Sequence, residues 1–423
     1  MTASGSHLSP PPRIAWFSPV HEFTGRPASL SAYVTEVLIP LMRDSYEITV
    51  FHTSTRPIPW LAELGVSSAH FGCAKQRHLV RPFDLFFYQV EDLQSAGFSR
   101  LHLGVQPGVV LFHSITFINR PPDAVAHSPY QEMVAVVRGE CAALPKERVW
   151  HDQGDPFGHR ELALAPVQLF SDPQALRVAS RSERKNLVCN PYRAHLPIPV
   201  PWDRTAPGSN AQGKELQIGL CATPGLEGRV RKVLRSLALT EEDVHLTWLL
   251  DVQEQAEACA LIEEFNVAAK VTVEVGRTPQ RWSELLGNLH AAVHLYHGYY
   301  GHPSPYLEIS LSQGVPVFAT SPGRGAFLPE ERVICIEPGE YEAQQLLVAY
   351  RKMKPQDYRF PHGEEYQAVS VARELDHVFR AAPRHLQSLE LGWSNLMASA
   401  REEVLRGLDG VGNILGLEGS GNE

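Results

Sequence analysis

At 423 residues, with 43% apolar and 20% charged side chains, the chain has the makeup of an ordinary globular protein and is long enough for two domains of roughly 150–200 residues. A net charge of −9, with no long Lys/Arg block, argues against a nucleic-acid partner. The six cysteines are widely spaced with no C-x-x-C pair, and several sit inside apolar runs, as reduced core cysteines do; neither a zinc site nor a disulfide framework is expected.

Residues 1–12, "MTASGSHLSPPP", lack the basic and apolar regions of a signal peptide and read as a disordered lead. A first domain is expected over residues 13–200. It opens on the apolar strand "RIAWFSP", continues through a helix near Pro27–Arg43 with apolar residues at 3-4 spacing, and adds "YEITVFH", "FDLFFYQV", "GVVLFHS" and "APVQLFSD". Residues 201–214 are rich in Pro, Gly, Ser and Asn and read as a linker. The alternation restarts over 215–385 with "LQIGLCA", a helix over Arg229–Leu239, "HLTWLLD", a helix near Gln253–Phe265, "KVTVEVG", "HAAVHLYH" and "VPVFAT". Residues 386–423 form a helical tail, free to pack back on the first domain. Strands alternating with helices imply α/β architecture: two Rossmann-like, doubly wound domains facing across a cleft, with ligands at the carboxyl ends of the strands. No stretch approaches 18 apolar residues, so no transmembrane segment is expected. The expected location is cytoplasmic, with peripheral attachment to the inner face of a membrane left open.

The stretch "HGYYGHPSPYLEISLSQGVPVFAT" (His297–Thr320) is the most specific local feature. Ser304 suits an N-cap and Pro305 the first helical position, which leaves the amides of Tyr306 and Leu307 free at the positive end of the helix. Such an end attracts a phosphate, although most helix ends bind only water. Glu308, one turn in, either accepts bonds from sugar hydroxyls or simply complements the dipole. His113 ends an apolar strand, where it could meet a ligand hydroxyl or serve as a structural histidine. Arg229 and Arg231, after the first strand of the second half, suit phosphate contact or a solvated helix face. The neighbouring glycines make neither a P-loop nor a G-x-G-x-x-G motif.

In their order, the segments "VHEFTGRPASLSAYVTEVLIPL", "PGVVLFHS", "VQLFSDPQALRVAS", "IGLCATPGLEGRVRKVLRSLA", "VTVEVGRTPQRWSELLGNLHAAVHLY" and "HPSPYLEISLSQGVPVFAT" resemble retaining GT-B glycosyltransferases of family 4, over about residues 13–345. The resemblance implies a nucleoside diphosphate sugar donor in the second domain, with no metal ion and no other cofactor. The acceptor is unidentified: a glycan, lipid, protein or small molecule. Catalytic positions would fall on His113 and Glu308. Donor contacts would fall on Gly25 in the first loop, Arg229 and Arg231, Arg277 and Thr278 in the loop at the nucleobase, and His302, Ser304, Tyr306 and Leu307.

The Glu-x7-Glu motif of that family is divergent here. Tyr300 stands eight positions before Glu308. Counting back from Gly314 instead puts Ile309 at the second acid and His302 near the first. No lysine matches the family's Arg…Lys pair, since Glu227 and Gly228 fall there. Two readings remain: a sugar transferase with a rebuilt donor pocket, or a catalytically silent GT-B protein that binds or regulates another enzyme. Sugar epimerisation on the same fold fits these loops less well.

Overall fold

The structure, a computed structural model, describes residues 10–20, 29–91, 93–115, 159–181, 191–202, 215–224, 229–295, 304–320, 332–337, 339–353 and 366–387. The first sheet holds β1 (Arg13–Phe17), β2 (Glu47–His52), β3 (Ser67–His70), β4 (Leu85–Val90), β5 (Val109–Phe112), β6 (Val167–Phe170) and β7 (Tyr192–His195). They lie in the order β3-β2-β1-β4-β5-β6-β7, parallel throughout. The second sheet holds β8 (Leu216–Cys221), β9 (Val244–Leu250), β10 (Val271–Val275), β11 (Ala291–His294), β12 (Val317–Thr320) and β13 (Val333–Ile336), ordered β10-β9-β8-β11-β12-β13 and again parallel. Each sheet reverses its winding beside its first strand, so the switch points fall between β1 and β4 and between β8 and β11. These are the places where an open α/β sheet accepts a ligand.

Helices cover both faces of the sheets. In the first half they are α1 (Leu30–Met42), α2 (Pro59–Glu63), α3 (Ala74–Val80), α4 (Gly97–Leu103), α5 (His159–Leu164) and α6 (Pro173–Arg181). In the second they are α7 (Arg229–Leu239), α8 (Gln255–Glu264), α9 (Pro279–Leu286), α10 (Pro305–Ser312) and α11 (Glu342–Lys352), followed by α12 over residues 368–387. The central strands are apolar because both faces are covered: β4 is buried at every position. The expected α/β architecture is therefore present. Three strands had no counterpart in the sequence reading: β3, β7 and β13. The first two are edge strands of polar sequence, "SSAH" and "YRAH", and lack the apolar run that marks a central strand.

Helix α12 falls inside the range expected for the second domain, yet Val371, Leu375, Val378 and Phe379 sit in the core of the first sheet with Trp16 and Phe87. The Phe379 ring lies 5.2 Å from that of Phe87 and 6.4 Å from that of Trp16. The two strands of chain running between the sheets lie side by side. The Val200 amide donates to Tyr366 O at 2.7 Å, and the Ala368 amide to Val200 O at 3.1 Å. Among the described residues no helix is long and apolar enough to cross a membrane.

Candidate functional site

On the first sheet, the carboxyl ends of the strands carry a buried polar chain. His113 follows β5 and is 1% exposed. Its Nε2 is 2.9 Å from Gln89 Oε1, and its Nδ1 is 3.2 Å from Ser171 Oγ. Gln89 uses its amide nitrogen to donate to Thr35 Oγ1 at 2.5 Å, so its oxygen must accept from His113. This fixes the proton on Nε2 and leaves Nδ1 an acceptor that shares the Ser171 hydroxyl with the Phe112 carbonyl, 3.3 Å from Ser171 Oγ. Burial pushes His113 down to about 3, so the ring is neutral across the physiological range. Thr35 continues the chain to Ser18 Oγ at 2.8 Å and receives the Trp16 indole N–H at 3.0 Å.

The amino end of α1 belongs to the same edge. Ser29 caps it, its hydroxyl accepting from the Ala32 amide at 3.0 Å. Glu91, just past β4, takes the amides of Leu30 and Ser31 at 3.1 Å each and the Ser31 hydroxyl at 2.8 Å. Tyr33, one turn further, donates its hydroxyl to Pro199 O at 2.8 Å. Burial raises the Tyr33 pKa first, and the charge of Glu308 from the second half raises it further, which places α1 close to α10.

On the second sheet, α10 starts as its sequence implies. Ser304 is the N-cap in extended conformation, Pro305 occupies the first helical position, and Gly314 stops the helix at φ 73°. The Ser304 hydroxyl makes no cap bond, so it does not close the first turn. Glu308 is 0% exposed. A clamp beneath the helix fixes its pose. Trp282 Nε1 donates to Tyr306 O and to Ser310 Oγ, both at 3.0 Å. Ser310 donates in turn to Tyr306 O at 2.8 Å, so the contact of 3.1 Å from His294 Nε2 must be donated by the imidazole. Burial holds His294 at about 3. Gly219 in β8 permits this packing, since a Cβ there would lie 2.3 Å from Leu289 Cδ1 and 2.7 Å from Trp282 Cη2.

Arg277 and Thr278 follow β10. Thr278 caps α9 through the Arg281 amide at 3.1 Å. Arg277 bonds Asp251 Oδ2 at 2.9 Å and approaches Glu254 Oε1 at 3.4 Å. Burial works against its charge, but neighbouring Cys221, Glu254 and Asp251 outweigh it and raise its pKa. Burial raises both the Cys221 thiol at the end of β8 and the Tyr306 phenol, and each group also acts on the other's titration. Arg277, Cys221 and the first turn of α10 thus form one group at the carboxyl edge.

The remaining expected residues are placed differently. Arg229 is buried in an ion pair with Glu342 of α11. Arg231 points outward to Glu264 of α8, with Nη2 to Oε2 at 2.7 Å, and joins no site residue. Two positions apart on a helix, the two side chains diverge by about 200° and do not share a face. Gly25 and His302 lie outside the described residues. The sequence reading missed Gln89, Ser171, Asp251 and His294, each a polar residue ending or following an apolar strand, and Trp282. Their positions at the strand ends are the signal that would have found them. Among the described residues no group of three or more His, Cys, Asp or Glu is placed to hold a metal ion.

No protein-family model matches the sequence, and no curated protein matches it. Solved structures do share the fold. Sucrose-phosphate synthase of Thermosynechococcus elongatus superposes with a TM-score of 0.54 at 14% identity, over 92% of this chain and 100% of that one. The lipopolysaccharide outer core galactosyltransferase WaaB in its apo form gives 0.55 at 14% identity, over 87% and 99%. HepE of Anabaena, determined with UDP and glucose, gives 0.51 at 12% identity, over 91% and 99%. The chain therefore has the two-domain GT-B fold of these glycosyltransferases.

Proposed function

We propose that the chain is a retaining glycosyltransferase of the family 4 type that takes its sugar from a nucleoside diphosphate sugar. The observation carrying this reading is the pose of α10. Its uncapped first turn lies at the carboxyl edge of the second sheet, clamped by Trp282 and flanked by Arg277. HepE, of the same fold, was determined with UDP-glucose, which supports the donor class.

In this reading the amides of Tyr306 and Leu307 receive the diphosphate, and the loop at Arg277 and Thr278 receives the nucleobase. The acceptor hydroxyl attacks the anomeric carbon on the face the diphosphate leaves. The bond from that carbon to phosphate oxygen breaks, and the departing phosphate takes the acceptor proton. Protein dipoles and cations stabilise the developing phosphate charge without a metal or other cofactor. In this reading Glu308, buried one turn into α10, bears on the reacting sugar. Neutral His113, held on both nitrogens, acts by positioning and not by carrying charge.

One observation favours the second reading, a silent GT-B protein that binds or regulates another enzyme. Arg229 and Arg231, the cations expected to steady the diphosphate, are engaged by Glu342 and Glu264. Thermal melts with UDP, GDP and ADP and their sugars, followed by a donor-hydrolysis assay, separate the readings. A melting rise with hydrolysis supports the transferase, and binding without turnover supports the silent protein. If no nucleotide shifts the melt, the transferase reading fails.

A further inference from the structure

A departing diphosphate needs cations beside it, and the two expected ones are engaged elsewhere. Arg229 is buried against Glu342, and Arg231 puts both terminal nitrogens on Glu264. In a parallel sheet the crossover helices start at the carboxyl edge and end at the amino edge. Lys270, just before β10, and Arg351 and Lys352, in the last turn of α11, therefore stand at the far end from the site. Arg277 stands at the near one. Its Nη2 bonds Asp251 Oδ2 at 2.9 Å and lies 3.4 Å from Glu254 Oε1, two residues that follow β9. The guanidinium has thus turned from β10 over the neighbouring strand, towards β8 and β11 in the order β10-β9-β8-β11. Each carboxylate also accepts the other residue's backbone amide, which makes the pair a fixed holder. The holder takes only one corner of the fork. Among the described residues neither Nε nor Nη1 of Arg277 makes a hydrogen bond, and the side chain is 20% exposed.

We propose that Arg277 is the cation that takes the donor's diphosphate, through its Nε–Nη1 edge, with Asp251 and Glu254 as positioning residues. The proposal rests on the donor reading above and moves one side chain within it. The loop still receives the nucleobase, while the Arg277 side chain turns back to the phosphates. Two N–H donors on one edge of a planar guanidinium match two phosphate oxygens. An anion at the first turn of α10 and a base at the loop after β10 have the end of β9 between them, and there the guanidinium is held. Its charge is secure, because Cys221, Glu254 and Asp251 raise the Arg277 pKa against the effect of burial. The engagement of Arg229 and Arg231 then no longer argues for a silent protein.

The test is calorimetric titration of wild type, Arg277→Ala, Arg277→Lys and Lys232→Ala, at matched ionic strength in chloride. The probes are inorganic pyrophosphate, which carries the phosphates without a base, and UDP, GDP and ADP. Arg277→Ala should weaken pyrophosphate and the bound nucleotide by the same factor, about ten- to a hundredfold, the range for hydrogen bonds to charged groups. Arg277→Lys keeps the charge without the fork and should recover part of that loss; it serves if the alanine variant folds poorly. Lys232, one turn into α7, is the rival cation, and Lys232→Ala should leave both affinities within error. A loss of nucleotide affinity in Arg277→Ala with pyrophosphate unchanged assigns the side chain to the base and overturns the proposal. So does a loss confined to Lys232→Ala, or a wild type that binds a nucleotide without pyrophosphate. Nucleotide bound equally by wild type and Arg277→Ala sinks the Arg277 assignment and leaves the donor site standing. Pyrophosphate bound through Arg277 with no nucleotide bound sinks the donor reading and leaves the anion site standing. A wild type that binds neither overturns both.

Discussion

The buried imidazoles make the protein sensitive to acid in a way that can be counted. His113 and His294 are neutral when folded and held at about 3, whereas an unfolded histidine titrates near 6.5. Below pH 6.5 the unfolded chain takes up protons that the folded chain refuses, so stability is complete above that pH and falls as pH drops towards 3. Lowering pH to 5 costs about 2 kcal/mol per imidazole at about 1.36 kcal/mol per pH unit, or about 4 kcal/mol for the pair. That is a large share of a folding free energy of about 5–15 kcal/mol. His52 and His102, pushed to about 4 by burial, add loss in the same direction. Urea unfolding from pH 7.5 to 5, followed by far-UV circular dichroism, measures this. His113→Gln should flatten the slope by about one proton, about 1.4 kcal/mol per pH unit, even while lowering stability at pH 7.5. A wild-type stability that stays flat from pH 7 to 5, or a slope unchanged in His113→Gln, would refute the buried neutral assignment.

Trp282→Phe removes the donor to Tyr306 O and Ser310 Oγ, and should cost about 1–3 kcal/mol of stability in denaturant melts while weakening UDP binding, because α10 loses its clamp. Arg231→Ala should leave UDP affinity within error in calorimetry, since its partner Glu264 lies on the outer helical layer. Phe379→Ala should cost about 3–5 kcal/mol, and hydrogen exchange should locate the loss in the first sheet although the residue is 379th in the chain.

The central strands were legible because a sheet covered on both faces needs unbroken apolar runs, and "RIAWF", "LFFYQV" and "LQIGLC" supply them. Edge strands β3 and β7 were not, because one open edge tolerates polar residues such as Ser67 and Arg193. The start of α10 was legible to the residue through Ser304, Pro305 and Gly314. Helical phase was the lost information at Arg229 and Arg231: a list of basic residues omits which face each takes, and Glu342 and Glu264 decided it from 113 and 33 positions away. The polar chain through Gln89, His113 and Ser171 joins three strand ends by contacts that no local pattern encodes.

The most direct test of the donor site is hydrogen–deuterium exchange with and without a nucleoside diphosphate sugar. In the free protein the amides of Tyr306 and Leu307 have no intrahelical acceptor and should exchange quickly, as first-turn amides do. With UDP-glucose, or whichever donor shifts the melt, the account predicts slowed exchange in the peptide covering residues 304–308 and none in the first turn of α7. Protection absent from residues 304–308 under saturating donor would contradict it.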